Sequence, residues 1–352
     1  MTIGMTMNAT RRPMGISLRR WGWCAAMLLF WCAISFAVSP DGLTAYFPFN
    51  GNANDASGNG NHAQIVSASL TADRCNTPGS AYRLYHATFD HMIVSNKTNF
   101  DFDRTDSFSI AAWINPLEST PGSIIISKEL WGSTGWLLCL APAGELNMYL
   151  TASWESGFAI QVGTVAAIPS GEWHHIAMTY DGSGCASGVR LYIDGERAST
   201  ITSVDNLAYS ILTDAEVWIG GRAQSSWDGS SYDGSIDELA IYRRTLPDRE
   251  IRALAGHLAI EGNAPTNLYY DAPMNIVSGL MSELRADAGF ARGICLGTFS
   301  QSPAADPLSN PPLGDVRYYL ARGSSSGSCF SYGNSTLIPD PRDALDANDP
   351  CP

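Results

Sequence analysis

Between Leu43 and Tyr242 the chain is a series of short apolar runs, each closed by Gly, Asn, Asp or Ser. Several runs alternate with a period of two. SFSIAAWINP sets Phe108, Ile110, Ala112 and Ile114 on one face. GVRLYIDGE sets Val189, Leu191 and Ile193 on one face and then turns at Asp194-Gly195. EWHHIAMTYDG ends in the same way at Asp181-Gly182, and AEVWIGGR and GSIDELAIYRR follow. Side chains that alternate between two faces belong to half-buried strands, and Asp-Gly pairs are hairpin turns. Roughly a dozen such strands with regular turn signals predict an all-β sandwich or barrel. One helix is predicted in TLPDREIRALAGH, where Pro247 and Asp248 suit a first turn, Ile251 and Leu254 lie three apart and Gly256 can end it.

The N-terminus is of another kind. Arg11, Arg12, Arg19 and Arg20 precede an uncharged run from Trp21 to Val38, with small residues at Ser35 and Ala37. This is the pattern of a secretory signal over residues 1–37, cut after Ala37. The same run is near the lower length limit of a membrane-spanning helix, so an uncleaved anchor is the alternative. Trp31 before Cys32 disfavours a lipid-attachment box. No later segment reads as a span, so cleavage would leave none.

Residues 1–37 hold four arginines and no acid. The remainder carries 17 basic against 34 acidic side chains, net −17. That charge repels phosphate backbones and argues against a nucleic-acid partner. Six cysteines remain after the cut: Cys75, Cys139, Cys185, Cys295, Cys329 and Cys351. An even number in an exported chain predicts disulfides. Cys139, inside WLLCLA, also reads as a buried thiol. Cys329 and Cys351 flank a turn-rich tail and are the expected pair. Residues 258–352 change composition, with two Pro/Ser-rich stretches around VRYYLARGSSSGSCFSYGN. They read as a small β module, poor in core and stapled by a disulfide.

Five ordered segments carry a family likeness. They are LTAYFPFNGNANDASGNGNHA, DSFSIAAWINP, GEWHHIAMTYDG, VRLYIDGE and GSIDELAIYRRTLPDREIRAL. Together they resemble the laminin-G-like jelly rolls of the concanavalin A-like lectin/glucanase superfamily, over residues 41–256. The resemblance implies two curved antiparallel sheets packed face to face, secretion, and sugar or protein binding. The tail, in YYLARGSSSGSCFSYGNSTLIPDP, resembles the small fibronectin-type-III-like ending of secreted bacterial proteins.

Two sites follow as expectations. NGNANDASGNG gathers Asn52, Asn54, Asp55, Ser57 and Asn59 in a glycine-rich loop, and Ca²⁺ takes six to eight oxygens of this kind. In jelly rolls of this type the opening loop meets the last strand, which would bring Asp237 beside Asp55. A structural Ca²⁺ held by Asn54, Asp55, Ser57, Asn59 and Asp237 is expected; an Asx-rich turn is the alternative. Sugar binding needs exposed aromatics beside polar groups. Trp131, Trp136, Trp154 and Trp227 lie in Gly/Ser-rich loops, and Trp227, Asp228, Tyr232 and Asp233 form the leading cluster. Trp113, Trp173 and Trp218 fall in strand motifs and are expected in the core.

Glycosidases of this superfamily use paired carboxylates in an acid-x-Asp-x-x-acid pattern. Here Ser235 and Ala240 stand where the flanking acids belong, which argues against hydrolysis. His174 and His175 are adjacent on a strand, point to opposite faces and cannot chelate one metal. The expected function is non-catalytic binding of a carbohydrate or an extracellular protein. A structural or protein-interaction domain without sugar specificity, and a glycan-active hydrolase, are the alternatives.

Overall fold

The computed structural model describes residues 39–95, 97–118, 123–130, 133–223 and 230–256, and the backbone of six short strands between 259 and 323. Two eight-stranded antiparallel sheets form the larger part. In the first, the order is β13 (Glu196–Arg197), β12 (Val189–Ile193), β11 (His174–Tyr180), β6 (Phe108–Glu118), β16 (Asp233–Tyr242), β4 (Ala81–Leu84) and β3 (Ser69–Thr71). Strand β1 (Leu43–Phe47) also pairs with β16. In the second, the order is β14 (Thr200–Asp205), β10 (Phe158–Ala167), β9 (Glu145–Ser153), β8 (Gly135–Leu140), β7 (Ser123–Glu129), β15 (Val217–Ile219), β5 (His91–Val94) and β2 (Ala63–Val66). Of the sandwich or barrel that the alternation predicts, the sandwich is the observed architecture, as the jelly-roll resemblance implies.

The core lies between the sheets. Phe47, Phe108, Ile110, Ile114 and Ile236 of the first sheet meet Trp136, Leu138, Met148, Ile160 and Ile219 of the second. Full burial of side chains of this size stabilises by about 1.5–3 kcal/mol each. The predicted helix is present as α1 (Asp248–Leu254), with Asp248 and Glu250 in its first turn and Gly256 at a φ of 79° just past its end. It packs Ile251 and Leu254 onto Tyr46, Tyr192 and Tyr242, covering part of the first sheet's outer face.

Beyond α1, β17 (Ala259–Glu261), β18 (Asn267–Tyr269) and β21 (Ala304–Ala305) form one three-stranded sheet. Strands β19 (Met274–Leu280), β20 (Ile294–Phe299) and β22 (Arg317–Gly323) form another. Among the described residues no helix is long and apolar enough to cross a membrane. The segment 1–37 and the pair Cys329 and Cys351 lie outside the described residues.

The expected disulfide framework is corrected in part. Cys139 and Cys185 are both free thiols, Cys139 buried and Cys185 exposed, and neither takes part in a bridge, whereas Cys75 is disulfide-bonded. Alternation along β8 sets Cys139 on the sheet's outer side, packed with Ile124, Leu137 and Tyr149. Cys185 sits at the start of a single 3-10 turn, Ala186–Gly188.

Candidate functional site

The opening loop folds onto β1 through one buried carboxylate. Asp55 Oδ1 accepts the amides of Tyr46 at 3.0 Å and Ser57 at 2.8 Å, and Oδ2 accepts that of Asn61 at 2.9 Å. Thr44 is the extra residue of a bulge between Leu43 and Ala45 where β1 meets β16. Its carbonyl receives Ser57 Oγ at 3.3 Å, Asn59 Nδ2 at 3.0 Å and Asn61 Nδ2 at 2.7 Å. Asn59 Nδ2 also reaches the Leu43 carbonyl at 2.9 Å. A cleft of about 310 Å³ adjoins this point, lined by Leu43, Thr44, Asn59, Thr98, Asn99 and Arg243. Asn54 is exposed, its amide held by Asn52 Oδ1 at 2.9 Å.

Asp237 is elsewhere. It sits opposite Trp113 on β6, whereas β1 reaches β16 only from Leu239 to Tyr242. The strand bulges between Asp237 and Ala240, and Glu238 takes a φ of 48°. Arg74 pairs with Asp237 at 3.6 Å and with Glu238 at 3.0 Å, its guanidinium 4.4 Å from the Trp113 ring centroid. Burial, and next the Glu238 charge, push the Asp237 carboxyl well above its ordinary range, with Arg74 opposing. The expectation that Asp237 joins Asp55 at one ion is corrected: its partner is an arginine.

For a hard cation the test is which oxygens converge. Asp237 does not, and Asn54 points to solvent. Leu43 O, Thr44 O, Ser57 Oγ, Asn59, Asn61 and Asp55 do gather, and an asparagine amide turned about its last torsion offers Oδ1 in place of Nδ2. Asn61 Oδ1 accepts Asn99 Nδ2 at 2.9 Å, so that amide turns only together with Asn99; with both turned, this smaller oxygen set is one that a Ca²⁺ could use. Among the described residues no group of three or more His, Cys, Asp and Glu side chains gathers as a metal centre.

The predicted aromatic contacts separate. Trp136 is 1% exposed, between Phe102 and Phe108 at 6.1 and 5.9 Å, because it shares the inward face of β8 with Leu138 and Leu140. It is a core residue, contrary to expectation. Tyr232 is also core, its hydroxyl donating to the Ser235 carbonyl at 3.1 Å, and burial holds its phenol far above the usual range. Asp233 pairs with Arg83, which lies 4.0 Å under the ring of Tyr85, itself 48% exposed. Trp131, Trp227 and Asp228 lie outside the described residues.

Trp154 stays at the surface, half-buried, edge-on to Tyr149 with ring centroids 5.4 Å apart. Tyr149 faces outward from β9, opposite Gln161 on β10, and Gln161 Nε2 donates to its hydroxyl at 2.9 Å. Burial raises the Tyr149 phenol to about 12, aided by Cys139 and Glu129. The phenol therefore keeps its proton to donate, and Gln161 Oε1 is an acceptor beside it. On the next strand position Gly163 allows Asn147 Oδ1 to lie over the backbone, where a Cβ would come within 2.1 Å. Across the sheet, Glu129 is buried and pairs with Arg222 at 3.0 Å. Two tryptophans expected in the core are on outer faces. Trp113 is half-buried on the first sheet, and Trp218 is half-buried on the second, stacked on His91 at 4.3 Å. His174 and His175 do diverge: His174 Nδ1 meets Asp194 at 2.9 Å and His175 meets the edge of Trp113.

The family model described as the concanavalin A-like lectin/glucanases superfamily, of the third laminin G type, matches residues 87–252. The sandwich has the concanavalin A-like jelly-roll fold. The chain is similar to the rat protein "Sushi, von Willebrand factor type A, EGF and pentraxin domain-containing protein 1", 26% identical over 126 residues. That match takes 35% of this chain and 3% of the rat protein, so the chain spans a small part of that relative. Among solved structures it is similar to the binding domain of Paraclostridial Mosquitocidal Protein 1, at 17% identity and a TM-score of 0.49, covering 69% of this chain and 58% of that one. It is also similar to domain 4 of AbnA, an arabinanase from Geobacillus stearothermophilus solved with arabinotriose, at 22% identity and a TM-score of 0.43. The latter covers 60% of this chain and 98% of that domain.

Proposed function

We propose that this is a non-catalytic carbohydrate-binding protein that works outside the cell, with residues 1–37 removed as a signal. The platform of Trp154, Tyr149 and Gln161 carries the reading. A sugar ring lays its apolar face on an aromatic ring, and each hydroxyl is both donor and acceptor. The Trp154 indole supplies the first, and the Tyr149 hydroxyl with Gln161 Oε1 supplies the second. Against hydrolysis, Ser235 and Ala240 replace the flanking acids and Glu238 is engaged by Arg74. Residues 258–352 remain proposed as a fibronectin-type-III-like module.

A glycan array on the secreted chain, followed by calorimetry on the strongest hit, tests this. Trp154→Ala should weaken binding at least tenfold, about 1.4 kcal/mol. A protein that binds no glycan, or a Trp154→Ala variant that binds as the wild type does, would point instead to protein ligands without sugar specificity.

We propose further that a structural Ca²⁺ ties the opening loop to β1, held by Leu43 O, Thr44 O, Ser57, Asn59, Asn61 and Asp55. What supports this is the Thr44 carbonyl, which gathers three side-chain donors where a carbonyl has two lone pairs. The ion would contribute charge compensation and stiffness, not chemistry.

A further inference from the structure

Apart from β1, whose free side is covered by Asp55 and Ala56 of the opening loop, the strand orders of the two sheets end in four edges of different length. Three are blunt: β13 has 2 residues, β3 has 3 and β2 has 4. The fourth, β14, has 6, and all but Val204 are exposed. Its sequence is TITSVD, and from Ala198 to Val204 there is no charge and no proline. Charges, prolines and bulges protect an edge from pairing with another chain; β14 bulges only at Ser203, past residues 198–202, and that stretch is an open template.

The register says which backbone groups it offers. Val165 N donates to Ser199 O at 2.8 Å, which makes Val165 and Ser199 a hydrogen-bonded pair. Thr164 faces Thr200, Gly163 faces Ile201 and Val162 faces Thr202. Bonded and non-bonded pairs alternate in an antiparallel ladder. Ile201 therefore turns its backbone to β10, while Thr200 and Thr202 turn theirs to the open side. The side chain of Ile201 stands on the outer face with Val165, and the two are 58% and 57% exposed.

We propose that β14 pairs with β14 of a second copy of this chain, antiparallel, about a twofold axis through Ile201. This register is self-complementary. Thr200 of each copy meets Thr202 of the other, giving four backbone hydrogen bonds. Ile201 meets Ile201 of the second copy in a non-bonded pair, where side chains approach most closely, and both Val165 side chains flank them. The two Asp205 carboxylates fall at opposite ends, roughly 27 Å apart at about 3.4 Å per residue, well beyond the screening length. The axis is perpendicular to the sheet, so both outer faces look the same way. Resting on the sugar reading above, this places two Trp154 platforms on one continuous face, and a polyvalent glycan gains avidity from their linkage.

Sedimentation velocity of the secreted chain, without sugar, over a wide concentration range tests the pairing apart from the ligand. The wild type should pass from monomer to dimer as concentration rises. Thr202→Pro removes an outward N–H and spares the ladder to β10, and Ile201→Lys buries a charge at the axis; each should weaken the dimer at least tenfold while keeping the wild-type circular dichroism spectrum. A wild type that stays monomeric throughout would overturn the proposal. So would an Ile201→Lys variant, folded as the wild type is, that dimerises equally well.

Discussion

Arg74 Nη1 lies 3.6 Å from Asp237 Oδ2, and with that contact the mid-strand acid of β16 is compensated from the loop between β3 and β4. Removing the arginine would take away the charge that opposes the raised pKa of this carboxyl, so the acid loses its partner wherever it is ionised. Arg74→Ala should lower the melting temperature markedly, and adding Asp237→Asn should recover part of the loss, because the remaining group is then neutral.

The same carboxyl gives a pH dependence of known sign. Its folded pKa is raised, chiefly by burial and then by Glu238. Proton binding therefore favours the folded state, and the contribution is complete below the ordinary carboxylate range and is lost as pH rises through the raised value. Asp237→Asn, which cannot ionise, should gain on the wild type as pH rises and match it most closely in acid. Denaturant midpoints of the two proteins across that range check this.

Trp136 and Trp154 both sit in Gly/Ser-rich stretches, yet their energetic roles differ. Trp136→Ala would open a cavity between Phe102 and Phe108 at a cost of about 3–5 kcal/mol. Trp154→Ala removes one edge-on ring contact, about 0.5–1.5 kcal/mol. Chemical denaturation should separate the two variants by about 1.5 kcal/mol or more.

Period-two alternation makes the sandwich legible in the sequence, and it also assigns faces within each strand. Trp113 stands between Ala112 and Ile114, and Trp218 between Val217 and Ile219, so each was already assigned to the face away from the core. The expectation of core burial rests on their lying in strand motifs, which does not say which face they take. Trp136 failed the other way: nearby Gly and Ser suggested a loop, while Leu138 and Leu140 marked the inward face of β8. The Asp237–Arg74 pair had no such signal. Arg74 comes from a loop far away in sequence, and no spacing rule links it to a bulge in β16. The Tyr149–Gln161 contact likewise depends on the register of β9 against β10, which local pattern does not fix.

Thiol chemistry should distinguish the two free cysteines. Burial, and next the Glu129 charge, push the Cys139 thiol up to about 12, with Arg222 opposing. The thiolate is the nucleophile, so at neutral pH Cys139 has neither access nor ionisation. Cys185 is exposed on its turn. In the native protein an alkylating reagent should modify Cys185 and leave Cys139 unmodified, and denaturant should expose Cys139; mass spectrometry of the labelled peptides would show the order.

The opening loop provides the remaining discrimination, between a clasp held by hydrogen bonds alone and one that also holds an ion. Asp55→Ala strips acceptors from three amides, those of Tyr46, Ser57 and Asn61, and at about 1 kcal/mol or more for each it should cost at least about 3 kcal/mol with or without calcium. Asn61→Ala separates the cases. If Ca²⁺ sits at the Thr44 carbonyl, the wild type should melt higher in calcium than in chelator, and Asn61→Ala should lose that difference. Asp237→Asn, whose partner is Arg74, should keep it. Should the wild type melt at one temperature in both buffers, Asp55 and its three amides hold the loop unaided, and the crowding at Thr44 is a feature of the bulge.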